Sequence, residues 1–471
     1  MSDPKPDRRS ILKGLAAATT APFWPGCTPG EGPPTPPPDP ATVQEAITHT
    51  VVLMMENRTF DHYFGSLSLL EGRTDVDGLL EGMSNPDAAG VPHPVHRAEL
   101  SCVPDPPHGW NDTHQQWNEG ANDGFVREYV DRWGPAQANI PMQYWTRDEL
   151  SALYGLADEY TLCQRWFQPV LSSTWPNRFY SHAASNNGAR GNDFGHGYDM
   201  PTVYQRLEEK GVSWGCYHLT APFMLLLPGH WSEENFWSME TFFQHARYGT
   251  LPQVTILEPF YGRADDHPPA HPVAGELLIA SIYKALAESP LWGKLQLFIT
   301  YDEHGGFHDH VAPPTFPDLF EQEGFGQAGF RVPGLAVGPY VKREVSSTVF
   351  DHTSLIAWMN SLYGLDPLNV RDEAANDFFD TLDLDRLEAL NPAAPIDLPV
   401  IEADESEIYA PECVWDLGRD VEPEGVMKQP EFEAWLSALP MQHPTDNRET
   451  YDADYDAFLD FTEAMGVWRR R

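Results

Sequence analysis

At 471 residues, with 41% hydrophobic residues and 15 tryptophans, the chain has material for one large α/β domain or two ordinary ones. Its 30 basic residues face 70 acidic ones, a formal charge of -40. That field repels nucleic acid and anionic membranes and excludes both as steady partners.

In chain order, the first signal is Asp7-Arg-Arg-Ser-Ile-Leu-Lys13 ahead of a short Ala/Thr-rich run to Trp24. A twin arginine before a weak apolar stretch resembles a twin-arginine (Tat) signal, an address for the Tat export machinery, and the run is too short to span a bilayer. Gly26-Cys27 resembles a lipoprotein processing site with Cys27 as the acceptor of a lipid anchor; cleavage to a free soluble protein is the alternative. The expected location is therefore periplasmic, secreted or anchored to the cell envelope. Residues 1–27 read as the export signal and 28–47 as a Pro-rich, stiff linker.

His49-Thr-Val-Val-Leu-Met-Met55 has the continuous apolar character of a buried strand and ends at Glu56-Asn57. His108 follows in Asp105-Pro-Pro-His-Gly-Trp110. Val170 to Arg178 carries Ser172, Ser173 and Thr174 ahead of Trp175-Pro176, then Asn177 and Arg178, an amide and a cation suited to an anionic group. His218 stands after Cys-Tyr, and His267 and His271 lie in Asp266-His-Pro-Pro-Ala-His271. Glu276 to Ala287 reads as an amphipathic helix feeding into the apolar run before Thr300-Tyr-Asp-Glu-His-Gly-Gly306. A third strand is expected at Val332 to Gly338. Strand, crossover helix and strand form the unit of a parallel sheet.

After about Ala375 the text turns acidic and Pro-containing. Residues 380–471 read as an extension packed on the 48–379 catalytic core, its last part a helix with Phe458, Phe461, Met465 and Trp468 on one face. Beyond Cys27 there are four cysteines: Cys102, Cys163, Cys216 and Cys413. In an exported chain they allow up to two disulfides in any of three connectivities, or buried free thiols, and with no Cys-x-x-Cys they do not suggest structural zinc.

Ligands of open α/β sheets bind at the carboxyl ends of the strands. Asp302 and Glu303 fall there, as do Glu56 and Asn57. Adjacent carboxylates at an apolar strand end need a cation, a proton or a basic partner to persist. Three carboxylates and an amide oxygen are hard ligands, suited to Ca, Mg or Mn, with Zn or Fe if histidines join. Thr174 is either a nucleophile, which requires activation by a base or metal, or a helix-capping residue; Ser172 and Ser173 are rival hydroxyls.

Taken together, Met55-Glu-Asn-Arg-Thr-Phe-Asp-His-Tyr-Phe-Gly65, Thr174-Trp-Pro-Asn-Arg178, Asp266-His-Pro-Pro269, Thr300 to Gly306 and Phe350-Asp-His-Thr-Ser354 resemble the ordered motifs of the bacterial phosphoesterase family, home of non-zinc phospholipases C and respiratory-burst-inhibiting acid phosphatases. The resemblance implies an alkaline-phosphatase-like α/β/α sandwich with a largely parallel sheet. It implies a divalent metal held by Glu56, Asn57, Thr174, Asp302 and Glu303, with Thr174 as nucleophile and a phospholipid or soluble phosphate ester as substrate. It casts His108, His267 and His304 as catalytic histidines, and Asn177, Arg178, His218 and His271 as phosphate-binding residues; His352 receives no catalytic role. The rival readings are a non-catalytic surface protein binding phosphate or metal, and a sulfatase or phosphonate hydrolase. Sulfatases use a modified Cys or Ser where this chain has Thr174.

Overall fold

A computed structural model describes residues 38–193, 196–227, 233–413 and 448–471. The expected export signal at 1–27 and residues 28–37 of the expected linker lie outside the described residues. The rest of that linker is not extended. Pro40–Ala46 is a helix whose N-cap Asp39 accepts the Ala41 N–H, and it buries Val43 and Ala46. An acid cap followed by proline at the first helical position is a helix start, which a reading by proline content overlooks.

Among the described residues eight strands form one sheet: β1 (His49–Met55), β2 (Thr161–Cys163), β3 (Trp214–His218), β4 (Phe236–Ser238), β5 (Val254–Leu257), β6 (Leu295–Tyr301), β7 (Gly334–Val337) and β8 (Glu344–Ser346). Across the sheet the order is β8-β2-β7-β6-β1-β5-β3-β4. All run parallel except β7, which is antiparallel to both neighbours. The expected third strand is thus present but reversed. Between β6 and β7 the chain makes only the short helical turn Glu321–Glu323, so no crossover helix returns it to the starting end.

Every β1 residue after His49 is buried, and side chains alternate between the two faces of a strand. On one face Thr50 Oγ1 accepts the Trp358 indole N–H at 2.9 Å, and Val52 and Met54 line a small cavity with Leu355, Met359 and Arg178. The Thr353–Tyr363 and Thr174–Ala183 helices cover that face. Val51, Leu53 and Met55 are also buried, so the opposite face is covered too. A second helical group, Pro272–Ala287 with Ser151–Glu159 and Met239–Tyr248, packs together. Pro272–Ala287 begins earlier than expected and is buried around most of its circumference, not amphipathic.

In the C-terminal extension the helix Arg448–Ala464 buries Tyr455, Phe458 and Leu459, while Met465 packs against the core. Phe461 is 38% exposed, with its ring against Phe243 at 4.6 Å. Trp468 is not on the helix. Gly466, at φ +74, turns the chain, and Trp468–Arg470 pairs in parallel with Ile401–Ala403. One disulfide, Cys102–Cys413, ties the extension to the core; Cys163 and Cys216 are buried free thiols.

Candidate active site

Register gathers the site. Met55 lies opposite Tyr301 in parallel pairing, so the next residues, Glu56 and Asp302, leave the sheet side by side. The two turns are stitched together: Asn57 N–H and Glu303 N–H both donate to Asp302 Oδ1, at 3.1 and 2.7 Å, and Arg58 N–H donates to the Glu303 carbonyl at 3.0 Å. Asn57 sits at φ 60, a left-handed conformation that asparagine tolerates better than most residues. Gly305 packs on it so closely that a Cβ would lie 2.3 Å from the Asn57 carbonyl oxygen. A third parallel strand, β5, delivers Glu258 to the same end.

Thr174 opens the Thr174–Ala183 helix, with Ser173 at the N-cap and Pro176 inside the first turn. Thr174 is partly exposed while the rest of the helix is buried. One turn on, Arg178 turns inward: its Nε–H donates to Asp302 Oδ2 at 3.1 Å, Nη2 lies 3.4 Å from Glu56 and Nη1 3.6 Å from Glu258. Asn177 spends its amide on the chain before it, accepting from Val170 N–H at 3.0 Å and donating to the Ser172 and Ser173 carbonyls. Arg178 therefore faces the carboxylates and Asn177 braces the threonine's turn.

Two loops bring histidines to the rim. His108 donates from Nδ1 to the Pro106 carbonyl at 2.7 Å and turns Nε2 toward Glu303 Oε1 at 3.6 Å. His267 donates from Nδ1 to the Pro268 carbonyl at 2.6 Å and turns Nε2 toward Asp105 Oδ2 at 3.9 Å. Asp105, His108 and His267 form one group able to hold a cation, with the two rings 5.9 Å apart. The His267 loop also docks on the acidic turn, since the Asp265 carbonyl accepts the Glu56 N–H at 2.8 Å and the Asp266 carbonyl accepts Arg58 Nε–H at 2.9 Å.

His304 is fully buried between Glu303 Oε2 at 3.0 Å and Gln116 Oε1 at 2.7 Å, so both ring nitrogens are engaged. His218 ends β3 and bonds the Thr220 carbonyl from Nδ1 at 2.8 Å. His271 caps the Pro272–Ala287 helix, its Nδ1 accepting the Val273 N–H at 3.2 Å. Beneath the site, His352 Nδ1 accepts the Trp166 indole N–H at 3.1 Å, which leaves Nε2–H to donate to the Asp302 carbonyl at 2.7 Å. Sequence reasoning missed Glu258 and gave Asp105 and Asp265 no role. A strand-end position marked the first, and spacing of three and two residues from His108 and His267 marked the others.

Burial raises the Glu56 carboxyl well above its ordinary range, and the Asp302 charge adds to the effect. Burial likewise pushes Glu303 up to about 8, against the opposing pull of His108, and Asp265 to about 7. Asn57 is fully buried, yet neither end of its side-chain amide is hydrogen-bonded, and Glu303 Oε1 also has no bond. Unmet polar atoms of this kind are costly. An oxygen-loving divalent cation held by Glu56, Asn57, Asp302 and Glu303 answers both the charge excess and the unmet amide oxygen, so these residues fit such a group.

A second buried acidic group, Asp61, Asp309 and His310, lies further along the same loop. It is closed by Arg331, whose Nε donates to Asp309 Oδ1 and Nη2 to Asp61 Oδ1, both at 2.9 Å, while His310 Nδ1 donates to Asp61 Oδ2 at 2.6 Å.

Carboxylates and imidazoles gathered at the strand ends of a largely parallel α/β sheet define the class, a hydrolase built on an α/β sandwich. Comparison gives the family: the Phosphoesterase family model matches residues 47–366, and the chain belongs to the phosphoesterase family, enzymes that hydrolyse phosphoric esters. It is 32% identical over 429 residues to "Phospholipase C B" of Mycobacterium tuberculosis, covering 76% of this chain and 81% of the relative. It is 30% identical over 373 residues to "Non-specific phospholipase C3" of Arabidopsis thaliana, covering 69% and 71%. Among solved structures, a protein in the alkaline phosphatase superfamily from Vibrio parahaemolyticus aligns over 71% of each chain at 12% identity, with a TM-score of 0.37.

Proposed function

We propose that this chain is an exported, divalent-cation-dependent phosphoric ester hydrolase of the phospholipase C type, acting through Thr174. The observation that carries the reading is the convergence of Glu56, Asn57, Asp302 and Glu303 around an unmet, fully buried amide, beside His108 and His267. The relatives' names favour a phosphodiester over a monoester. The disulfide Cys102–Cys413 supports an oxidising compartment, in keeping with the twin-arginine address. Among the described residues no helix is long and apolar enough to cross a membrane.

Glu56, Asn57, Thr174, Asp302 and Glu303 would hold the cation, which when bound supplies positive charge to lower the hydroxyl pKa of Thr174 and to offset the phosphoryl oxygens. The N-terminus of the Thr174–Ala183 helix adds its own positive end at the same point. Thr174 Oγ, its proton released to solvent, attacks phosphorus in line, the bond to the leaving oxygen breaks, and His108 or His267, entering the step as the imidazolium, gives that oxygen its Nε2 proton, which the attacking water of the next step restores. Water then attacks phospho-Thr174 and releases the phosphorylated headgroup. In this scheme His304 fixes the Glu303 carboxylate, and Arg178 aims Asp302 and Glu56.

The test is turnover of p-nitrophenyl phosphorylcholine and p-nitrophenyl phosphate by wild type, Thr174→Ala and metal-stripped protein. Activity falls by several orders of magnitude in Thr174→Ala while the far-UV CD spectrum is retained, and stripping abolishes it until Ca, Mg, Mn or Zn is restored. Full turnover by a verified metal-free sample sinks the mechanism; wild-type rates in Thr174→Ala move the nucleophile to Ser172, Ser173 or water.

A further inference from the structure

We propose that the C-terminal extension is a positioning strap for the two loops that carry Asp105, His108 and His267. The inference rests on the histidine roles given above but concerns residues beyond 366, where the family match ends.

The first anchor is covalent. Asp105 and His108 lie on a stretch without regular structure between His96–Arg97 and the Trp110–Trp117 helix. Three residues before Asp105, Cys102 is bonded to Cys413, 311 positions away. A tie at that point restricts where the His108 loop can travel.

The second anchor is aromatic. Tyr455, only 1% exposed on the Arg448–Ala464 helix, meets the Phe260 ring edge-on at 5.5 Å and lies under the Arg263 guanidinium at 5.3 Å. Phe260 and Arg263 stand on the loop that runs on to Asp265, which bonds Glu56 N–H, and to His267. Burial of this kind, with a cation over the ring, fixes the loop's outer side.

The two anchors are one body. Tyr409, four residues before Cys413, meets Tyr455 at 5.5 Å and donates its hydroxyl hydrogen bond to Asp456. The extension also closes on itself through the pairing of Ile401–Ala403 with Trp468–Arg470. Between the strapped loops, Asp105 reaches both histidines, at 3.6 Å from His108 Nδ1 and 3.9 Å from His267 Nε2. Movement of either loop changes that spacing, and an ångström of misplacement is enough to cost about 100-fold in rate.

The experiment compares full-length wild type, Tyr455→Ala, Tyr455→Phe and Cys413→Ser on two diesters that differ in leaving group: p-nitrophenyl phosphorylcholine, whose phenolate leaves unaided, and dihexanoylphosphatidylcholine, whose alkoxide needs a proton. Tyr455→Ala and Cys413→Ser lower kcat on the alkyl ester by about 10- to 100-fold, lower it less on the p-nitrophenyl ester, and leave metal content unchanged. Tyr455→Phe, which keeps the ring, restores wild-type values. Wild-type kcat in both disabled variants, or an equal loss on both esters, overturns the strap. Should a variant fail to fold, mild reduction of Cys102–Cys413 in the folded wild type reads the same ratio, with the same two outcomes. If the wild type hydrolyses none of these esters, the proposed function falls; the strap is then judged by inorganic phosphate binding, which weakens in Tyr455→Ala and not in Tyr455→Phe, and which, if unchanged, removes the strap as well.

Discussion

Two buried acidic clusters share the Asp302–His310 loop, and they solve the same electrostatic problem in opposite ways. At Asp61 and Asp309 the charges are closed by protein: Arg331 meets both carboxylates and His310 meets Asp61 at hydrogen-bond distance. Burial alone would raise Asp61, yet Arg331 and His310 hold it at about 2, and Asp61 in turn lifts His310 to about 9 against its own burial; Asp309, without a histidine at hydrogen-bond distance, stays raised by burial against the pull of Arg331. At the other cluster one guanidinium, Arg178, serves Glu56, Asp302 and Glu258, Glu303 has only histidines beside it, and all four acids are pushed upward. A chain that can neutralise one cluster with its own cations and leaves the other short keeps the second for an external cation. The contrast teaches that a buried carboxylate is informative by its balance of partners, not by its burial.

The largest effect should separate the clusters by activity. Asp302→Ala is expected to lower turnover by about a thousandfold, the order lost when one charge-stabilising group leaves an active site. Arg331→Met leaves the metal affinity of the folded protein unchanged, because Arg331 bonds Asp61 and Asp309 and not the residues proposed to hold the cation. Its damage is to stability: Asp61 and Asp309 lose their guanidinium while buried, a loss of about 3–5 kcal/mol measurable by denaturant unfolding. Equal loss of metal affinity in both variants would merge the two clusters into one functional unit.

A smaller effect separates them by pH. Glu303, held near 8 against an ordinary 4.5, binds its proton more tightly when folded, so the cation-free protein loses stability as pH rises from 4.5 toward 8; Asp265, near 7, acts in the same direction. Asp61, held near 2 against 3.8, contributes stability above 3.8 that is lost as pH falls toward 2. His310, near 9 against 6.5, contributes stability below 6.5 that is lost as pH rises through 9. Between pH 4.5 and 6.5 Asp61 and His310 therefore contribute no slope, Glu303 and Asp265 slope downward, and Asp309, raised by burial against the pull of Arg331, slopes the same way. Thermal unfolding across that window with and without saturating divalent cation reads the Glu303 share as the part of the slope that the cation removes. A slope untouched by cation would assign the effect elsewhere.

The sequence disclosed one of these clusters far better than the other. β1 and β6 are unbroken apolar runs that end in polar pairs, so Glu56-Asn57 and Asp302-Glu303 could be placed at the strand ends from pattern alone. The balance of charge could not. Arg178 read as a phosphate ligand because local sequence shows its neighbours Thr174 and Asn177, while Asp302, 124 positions away, is visible only in the fold. Arg331 meets Asp61 across 270 positions, and no period or spacing links them. The reversal of β7 escaped for a related reason: an apolar strand does not encode its direction, which is set by the absence of a crossover helix before it. Spacing puts Trp468 on a helical face, but Gly466 ends that period two residues earlier.

The finest distinction is a reversal of sign. In metal-free protein at pH 8, Glu303→Gln is expected to stabilise by about 1 kcal/mol, whereas Asp309→Asn destabilises by about the same amount. Glu303 Oε2 accepts from Gly305 N–H at 2.8 Å and faces His304, a role the amide oxygen can keep, and the new NH2 then meets the His108 Nε2 that Glu303 Oε1 faces at 3.6 Å. At Asp309 both oxygens already accept: Arg331 Nε at 2.9 and 3.2 Å, Asp61 N–H at 3.3 Å and Val311 N–H at 3.0 Å, so an amide sets a donor against donors. Saturating divalent cation inverts only the first result, since Glu303→Gln then removes a charged ligand. Chemical denaturation with and without cation reads all four values, and two variants of the same sign in metal-free protein would refute the claim that the first cluster is built to await a cation while the second is complete.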